Sequence, residues 1–266
     1  MEAWRPFAGA WGLILGASSG FGAATARELA RRGMNIVGVH LDRKSTLPLA
    51  EAVAADVRAA GAAAHFFNVN AADAAKRAEV CDRLRELGGG QPVRLLLHSL
   101  AFGTLKPFVT ADPRERTTKA QLEMTLDVMA HSLVYWVQDL HERGLLGPGS
   151  RIFAMTSAGG ARVLPFYGAV SAAKAALESH VRQLALELGA AGITVNAIRA
   201  GVTDTPAARK IPAADYMFAE ARRRNPGGRL TVPEDVAGAI VALTLPGAGW
   251  INGNVIGVDG GEDVTG

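Results

Sequence analysis

Short apolar runs alternate with longer, alanine-rich amphipathic stretches along the whole chain. Runs of this length read as strands buried on both faces, and the stretches between them as helices that cover those faces. The pattern therefore predicts successive β-α units that build a parallel sheet. The predicted strands are Gly12–Leu15, Asn35–His40, Ala63–Val69, Val93–His98, Arg151–Thr156, Thr194–Ile198 and Val255–Val258. The first helix is expected over Ala23–Arg32, with Gly33 in the usual position just past a helix end. The stretch RELGGGQP (Arg85–Pro92) reads as a surface turn, because the strand-helix rhythm resumes directly after it. In AVSAAKAALESHVRQLALEL the apolar stripe is Leu177, Val181, Leu184 and Leu188, and Lys174 falls at the same spacing, on the buried edge. A lysine there costs desolvation unless something anionic or hydroxylated receives it.

At 266 residues and 49% hydrophobic content the chain can bury a full core, and with no internal repeat or low-complexity linker it reads as one domain over 1–266. The net charge is only +3 and no arginine-lysine stripe interleaves with aromatics, which argues against nucleic acid and leaves a phosphate-bearing ligand or an acidic carrier open. The six histidines are not paired at three- or four-residue spacing and Cys81 is alone, so neither a metal site nor an internal disulfide is expected. The apolar run near the start is too short for a signal peptide and no stretch reaches membrane-span length. The expectation is a soluble cytoplasmic protein.

LILGASSGFGAATARELARRG places Gly16, Gly20 and Gly22 between a strand and a helix, with Ser18, Ser19 and Phe21 interleaved. Glycines there let the backbone turn tightly and approach a pyrophosphate, whose charge is met by free N–H groups and the positive end of the helix dipole. The spacing is G-x3-G-x-G, not the G-x-G-x-x-G of the usual dinucleotide fingerprint. The residue closing the second strand should meet the adenosine ribose, and His40 stands there. Asp42, Arg43 and Lys44 follow, and the two cations offer the charge-assisted contacts that a 2′-phosphate wants, so NADPH is expected over NADH. Arg43 and Lys44 solvating a loop is the plainer alternative.

The glycine loop, a Tyr167/Lys174 pair after the fifth strand, the VNAIRAG strand and a terminal VDGG together resemble the short-chain dehydrogenase/reductase superfamily. Within it HSLAF (His98–Phe102), RVLPFYGAVSAAKAALE and NAIRAGVTDT are similar to the enoyl-[acyl-carrier-protein] reductases. The resemblance implies a Rossmann-like, doubly wound, seven-stranded parallel sheet, a nicotinamide cofactor and a homotetramer or dimer. Members that handle ketones and alcohols have Ser, Tyr and Lys at positions that correspond here to Ser157, Val170 and Lys174. The phenol has moved back one helical turn to Tyr167, giving Tyr-x6-Lys, and offsets of four and seven share a helix face. The asparagine that commonly supports a proton relay is replaced by Met129.

The resemblance thus implies hydride transfer to Cβ of a trans-2-enoyl thioester, on acyl carrier protein or coenzyme A, with Tyr167 donating to the enolate oxygen. Lys174 would hold the nicotinamide ribose. Ser99, Leu100 and Ala101 should pass near the cofactor, Asn68 and Val69 near adenine, and Gly201, Val202 and Thr205 near the carboxamide and pyrophosphate. A second tyrosine of better-known enoyl reductases is here Ser157, which would line the pocket or orient Tyr167. A substrate loop is expected near 203–230, and its arginines Arg222, Arg223, Arg224 and Arg229 could steer an acidic carrier or simply solvate a helix. Two alternatives stand beside this reading: a reductase of ketones or 3-oxoacyl thioesters, and a dinucleotide-binding scaffold without turnover.

Overall fold

The computed structural model describes residues 4–212 and 214–265. Seven strands, β1 (Trp11–Leu15), β2 (Asn35–His40), β3 (Ala64–Asn68), β4 (Leu95–His98), β5 (Arg151–Ser157), β6 (Thr194–Ala200) and β7 (Val255–Val258), form one sheet in the order β3-β2-β1-β4-β5-β6-β7. Every neighbouring pair is parallel. The helices are α1 (Gly20–Arg31), α2 (Leu47–Ala59), α3 (Ala74–Leu87), α4 (Lys119–Leu126), α5 (Ser132–Glu142), α6 (Gly168–Gly189), α7 (Ala214–Arg224) and α8 (Pro233–Thr244). A π-helical turn, Asp127–His131, joins α4 to α5.

The near-continuous apolar strands are explained by burial on both faces. Leu13, Leu15, Leu96, Ile152 and Val195 point toward α3, α5 and α6, where Leu84, Trp136 and Leu177 meet them. Their sequence neighbours Ile14, Leu95, Leu97, Phe153 and Ile198 point the other way, onto Leu29 of α1, Val57 of α2 and Ile240 of α8. All seven predicted strands form, and several end points move. β5 and β6 run on to Ser157 and Ala200 because they remain in register with each other to their ends. Val93 and Arg94 precede β4, their N–H groups donating to Leu145 and Trp11 carbonyls at 2.9 and 2.8 Å.

The first helix starts at Gly20, three residues before the expected Ala23. Ser19 is extended (φ −155°) and ends the loop, so Gly20, Phe21 and Gly22 form the first turn. That shift brings the helix N-terminus up to the glycine loop. The strand order reverses between β1 and β4, and the loops after them part there, leaving a crevice at the carboxyl ends of the strands.

Cys81, on the buried face of α3, is fully buried, and burial pushes its thiol up to about 12. It should therefore resist thiol alkylation in the native state at pH 8 and react at the rate of unfolding in denaturant, measured by mass spectrometry against time.

Candidate active site

The crevice is shaped by backbone approaching backbone. At Gly16 (φ +89°) an added Cβ would lie 2.3 Å from the Ser99 carbonyl oxygen, and one on Gly22 would lie 2.1 Å from that of Gly16. No other residue fits at either place, which closes the loop tightly over the ends of β1 and β4. Ser19 sits at the N-cap of α1 without using its side chain as a cap, so the N–H groups of the first turn stay available to a ligand. Gly20 (φ +54°) faces Thr205 from the loop after β6. These residues suit a dinucleotide pyrophosphate, whose charge the free N–H groups would meet.

The end of β2 differs from the expectation. His40 is buried, and its Nδ1 lies 2.9 Å from Asp42 Oδ2, so it is not a free contact for the adenosine ribose. The side-chain amide of Asn68 donates to the Asp42 carbonyl at 3.0 Å and its oxygen accepts from the Asp42 N–H at 2.8 Å, bracing the loop. Val69 N–H donates to the His40 carbonyl at 2.8 Å. Burial works to raise the Asp42 carboxyl, but hydrogen bonds from Thr46, Ser18 and His40 outweigh it and hold the group below its ordinary value. The ionised carboxylate thus faces Ser18 of the glycine loop. Arg43 and Lys44 are exposed and make no ion pair among the described residues.

A cavity of about 240 Å³ opens at the carboxyl ends of β4, β5 and β6 and gathers the chemistry. Tyr167, Lys174 and Ser157 line it, as do Phe21, Ser99, Leu100 and Ala101, with Gly201, Val202 and Thr205 on the far side. The remaining expected cofactor residues, at the glycine loop and the ends of β2 and β3, do not line this cavity.

Tyr167 is the residue before α6 rather than a member of it, with φ −96° and ψ 2°. It is positioned by Phe166, the one non-glycine residue with positive φ (+63°) among those described. The ring packs against Gly159, where a Cβ would come within 2.6 Å of Tyr167 Cε1. Ser171 ties the same region down: its N–H donates to the Tyr167 carbonyl at 2.7 Å and its hydroxyl to the Gly159 carbonyl. Burial raises the Tyr167 phenol above its ordinary value, and the neighbouring Ser157 hydroxyl partly offsets this. Tyr167 is therefore protonated, a donor, across the neutral range. Ser157 Oγ is buried without a hydrogen-bond partner of good geometry in the chain.

Lys174 lies seven residues on, 6% exposed, more deeply buried than the edge position its spacing suggested. Its Nζ donates to the Met155 carbonyl of β5 at 2.6 Å. Burial lowers it to about 8, with Glu178 one turn along the helix acting in the opposite sense.

The substrate side is apolar, formed by Leu100, Leu105, Met129, Met155, Leu164 and Val170. Ile211 and Met217 from the expected substrate segment cover it, α7 supplying the latter. Sequence reading missed the C-terminal tail. Glu262 is 4% exposed, accepts from Val202 N–H at 2.9 Å and reaches Arg224 at 3.4 Å. Asp263 joins Arg162 and Arg199 at 2.8 and 3.0 Å. An acidic run after VDGG is the only trace this leaves in the sequence. Of the four arginines considered for carrier docking, Arg223 pairs with Glu220, Arg224 with Glu262 and Arg229 with Asp235. Arg222 alone is exposed without an ion pair among the described residues.

A family model described as enoyl-(acyl carrier protein) reductase matches residues 16–262. The Escherichia coli enoyl-[acyl-carrier-protein] reductase [NADH] FabI is 31% identical over 194 residues, 73% of each chain. The cis-4-hydroxycyclohexanecarboxylate dehydrogenase of Sinomonas cyclohexanicum is 34% identical over 259 residues, 94% of each chain. Among solved structures, the enoyl-[acyl-carrier-protein] reductase (NADH) of Aquifex aeolicus superposes with a TM-score of 0.84 at 25% identity over 98% of both chains.

Lys174 carries its charge below about 8 and loses it above. Cofactor affinity, followed by nicotinamide fluorescence, should hold from pH 6 to 7.5 and weaken as the pH rises through that midpoint, and a profile flat to pH 10 would remove the lysine from the site. Gly159→Ala should push the Tyr167 ring out of place and lower kcat by roughly 10- to 100-fold, with melting temperature nearly unchanged.

Proposed function

The chain belongs to the enoyl-(acyl carrier protein) reductase family of the short-chain dehydrogenase/reductases, and we propose that it reduces a trans-2-enoyl thioester to the saturated acyl thioester. The observation that carries this reading is the seating of Tyr167 ahead of α6, its phenol kept protonated by burial and lining the same cavity as Lys174. Reduction of an activated double bond builds negative charge on the thioester oxygen, and a fixed neutral donor is what that charge requires. A reduced nicotinamide dinucleotide, when bound in the crevice, supplies the hydride. Tyr167 would donate a hydrogen bond to the developing enolate oxygen, and a proton taken up at Cα from solvent would complete the saturated thioester. Lys174 orients the nicotinamide ribose hydroxyls and adds positive charge beside that oxygen. Ser157 Oγ offers a second donor, and Leu100, Leu105, Val170 and Met217 exclude water from the acyl group.

NADPH is supported by the exposed cations Arg43 and Lys44 beyond β2. The carboxylate of Asp42, turned toward Ser18, supports the second reading, NADH with a free 2′-hydroxyl. Carrier docking would rest on Arg222, given that its neighbours are neutralised.

A second reaction, reduction of a ketone or 3-oxoacyl thioester, is favoured by the Ser157 hydroxyl at the end of β5, which lines the cavity beside Tyr167.

Incubation with crotonyl or acetoacetyl thioester and each reduced nicotinamide separates these readings. We expect consumption with the crotonyl substrate and a loss of at least about 100-fold in kcat for Tyr167→Phe. Turnover of acetoacetyl thioester alone would sink the enoyl reading, and cofactor binding without turnover of either would leave a scaffold. Asp42→Asn should shift the ratio of dissociation constants toward NADPH by roughly tenfold, since a carboxylate beside a 2′-phosphate is repulsive. An unchanged ratio would place Asp42 outside ribose recognition.

A further inference from the structure

His98 closes β4 and is fully buried, yet it takes no part in the chemistry described so far. Its protonation pattern can be read from its surroundings. The Ser132 hydroxyl donates its proton to the Val128 carbonyl at 2.7 Å, so at 2.8 Å from His98 Nε2 the serine oxygen can only accept. Nε2 therefore carries the hydrogen, and Nδ1 is a lone-pair acceptor. That acceptor has no hydrogen-bond partner in the chain. A buried acceptor without a donor is costly, and one is retained where something supplies the donor.

The register of the sheet points to the supplier. His98 pairs with Ala154 on β5, and the carbonyl of the next residue, Met155, receives Lys174 Nζ. Leu96, two residues before His98, packs on the α5 and α6 side, so His98 lies on that face, where Ser132 is met. The Lys174 ammonium has three protons, and Met155 takes one. The Lys174 charge acts on His98, no hydrogen bond joins the two groups, and a bridging water would satisfy both.

We propose that His98 is a positioning residue for Lys174, its Nδ1 holding one ammonium proton through a buried water while Ser132 locks the tautomer that makes this possible. The proposal rests on the assignment of Lys174 to the reaction site. Burial first, and then the Lys174 charge, lower His98 to about 3, with a contact to its own backbone acting the other way, so the imidazole is neutral across the neutral range. The other titratable groups around Lys174 are Tyr167 ahead of α6 and Glu178 on α6, whose carboxylate accepts from Thr156 Oγ1 at 2.6 Å. His131, on the π-helical turn beside Ser132, faces His180 instead, at 2.9 Å.

The test follows Lys174 itself, by NMR of ¹³Cε-lysine-labelled apoprotein, with the resonance assigned by its loss in Lys174→Met. Removing the acceptor in His98→Leu should destabilise the ammonium and lower the ratio of charged to neutral lysine at pH 8 by roughly tenfold. His98→Asn returns an oxygen to the Nδ1 position and should restore the ratio to within about threefold of wild type. His98→Gln reaches Ser132 but leaves the Nδ1 position without its acceptor, and should resemble the leucine variant. A ratio unchanged in His98→Leu and His98→Gln, or a rescue by Gln and not by Asn, would overturn the proposal. Should the leucine variant fail to fold, the comparison of Asn with Gln decides alone. Because no substrate or cofactor is present, the outcome is independent of whether the reaction is enoyl reduction.

Discussion

The buried ammonium of Lys174 is the constraint from which the rest of the site follows. Its hydrogen bond to the Met155 carbonyl pins the first turns of α6 to the end of β5, and so fixes where the chain must enter that helix. Tyr167, one residue before the helix, is carried into the cavity by that entry, but only because Phe166 adopts a left-handed backbone, a conformation that costs about 1–3 kcal/mol in a non-glycine residue. Gly159 then accepts the ring without a side chain in the way, and Gly168 does the same for Phe108, whose ring a Cβ there would meet at 2.7 Å. Phe166, Gly159 and Gly168 all lie within ten residues of the phenol.

The electrostatic design divides the cavity in two. One end holds groups tuned by burial: a phenol kept neutral, a lysine brought down to about 8 and a histidine kept uncharged. The other end is closed by paired charges from the C-terminal tail, where Glu262 and Asp263 meet Arg224, Arg162 and Arg199. Pairing neutralises those charges, and Glu262 anchors the loop after β6 through Val202. The apolar residues of the same cavity, among them Leu100, Leu105, Met129 and Val170, form a surface that excludes water. Among the described residues no helix is long and apolar enough to cross a membrane.

The alternation of strands and helices and the glycine loop after the first strand were legible in the chain because both depend on short-range regularities. Strands buried on two faces must be apolar throughout, and a glycine loop between strand and helix announces where backbone has to approach backbone. The Tyr167 and Lys174 spacing was legible for the same reason, since seven residues is a local separation. The pairing of His40 with Asp42 was not legible, because it depends on how the loop after β2 folds back against Asn68, 26 residues from Asp42.

What the sequence alone determined, then, is the alternation of elements, their parallel pairing and the identity of the residues that can donate or bind. Tertiary structure decided which of them meet. The histidines His131 and His180 stand 49 positions apart and touch, Glu262 reaches back to Val202 across 60, and His98 comes to lie one strand from the Lys174 hydrogen bond. Periodicity encodes which face of an element is buried, but contacts across the sheet's carboxyl edge arise only when loops of different strands converge, and no local pattern of residues records that convergence.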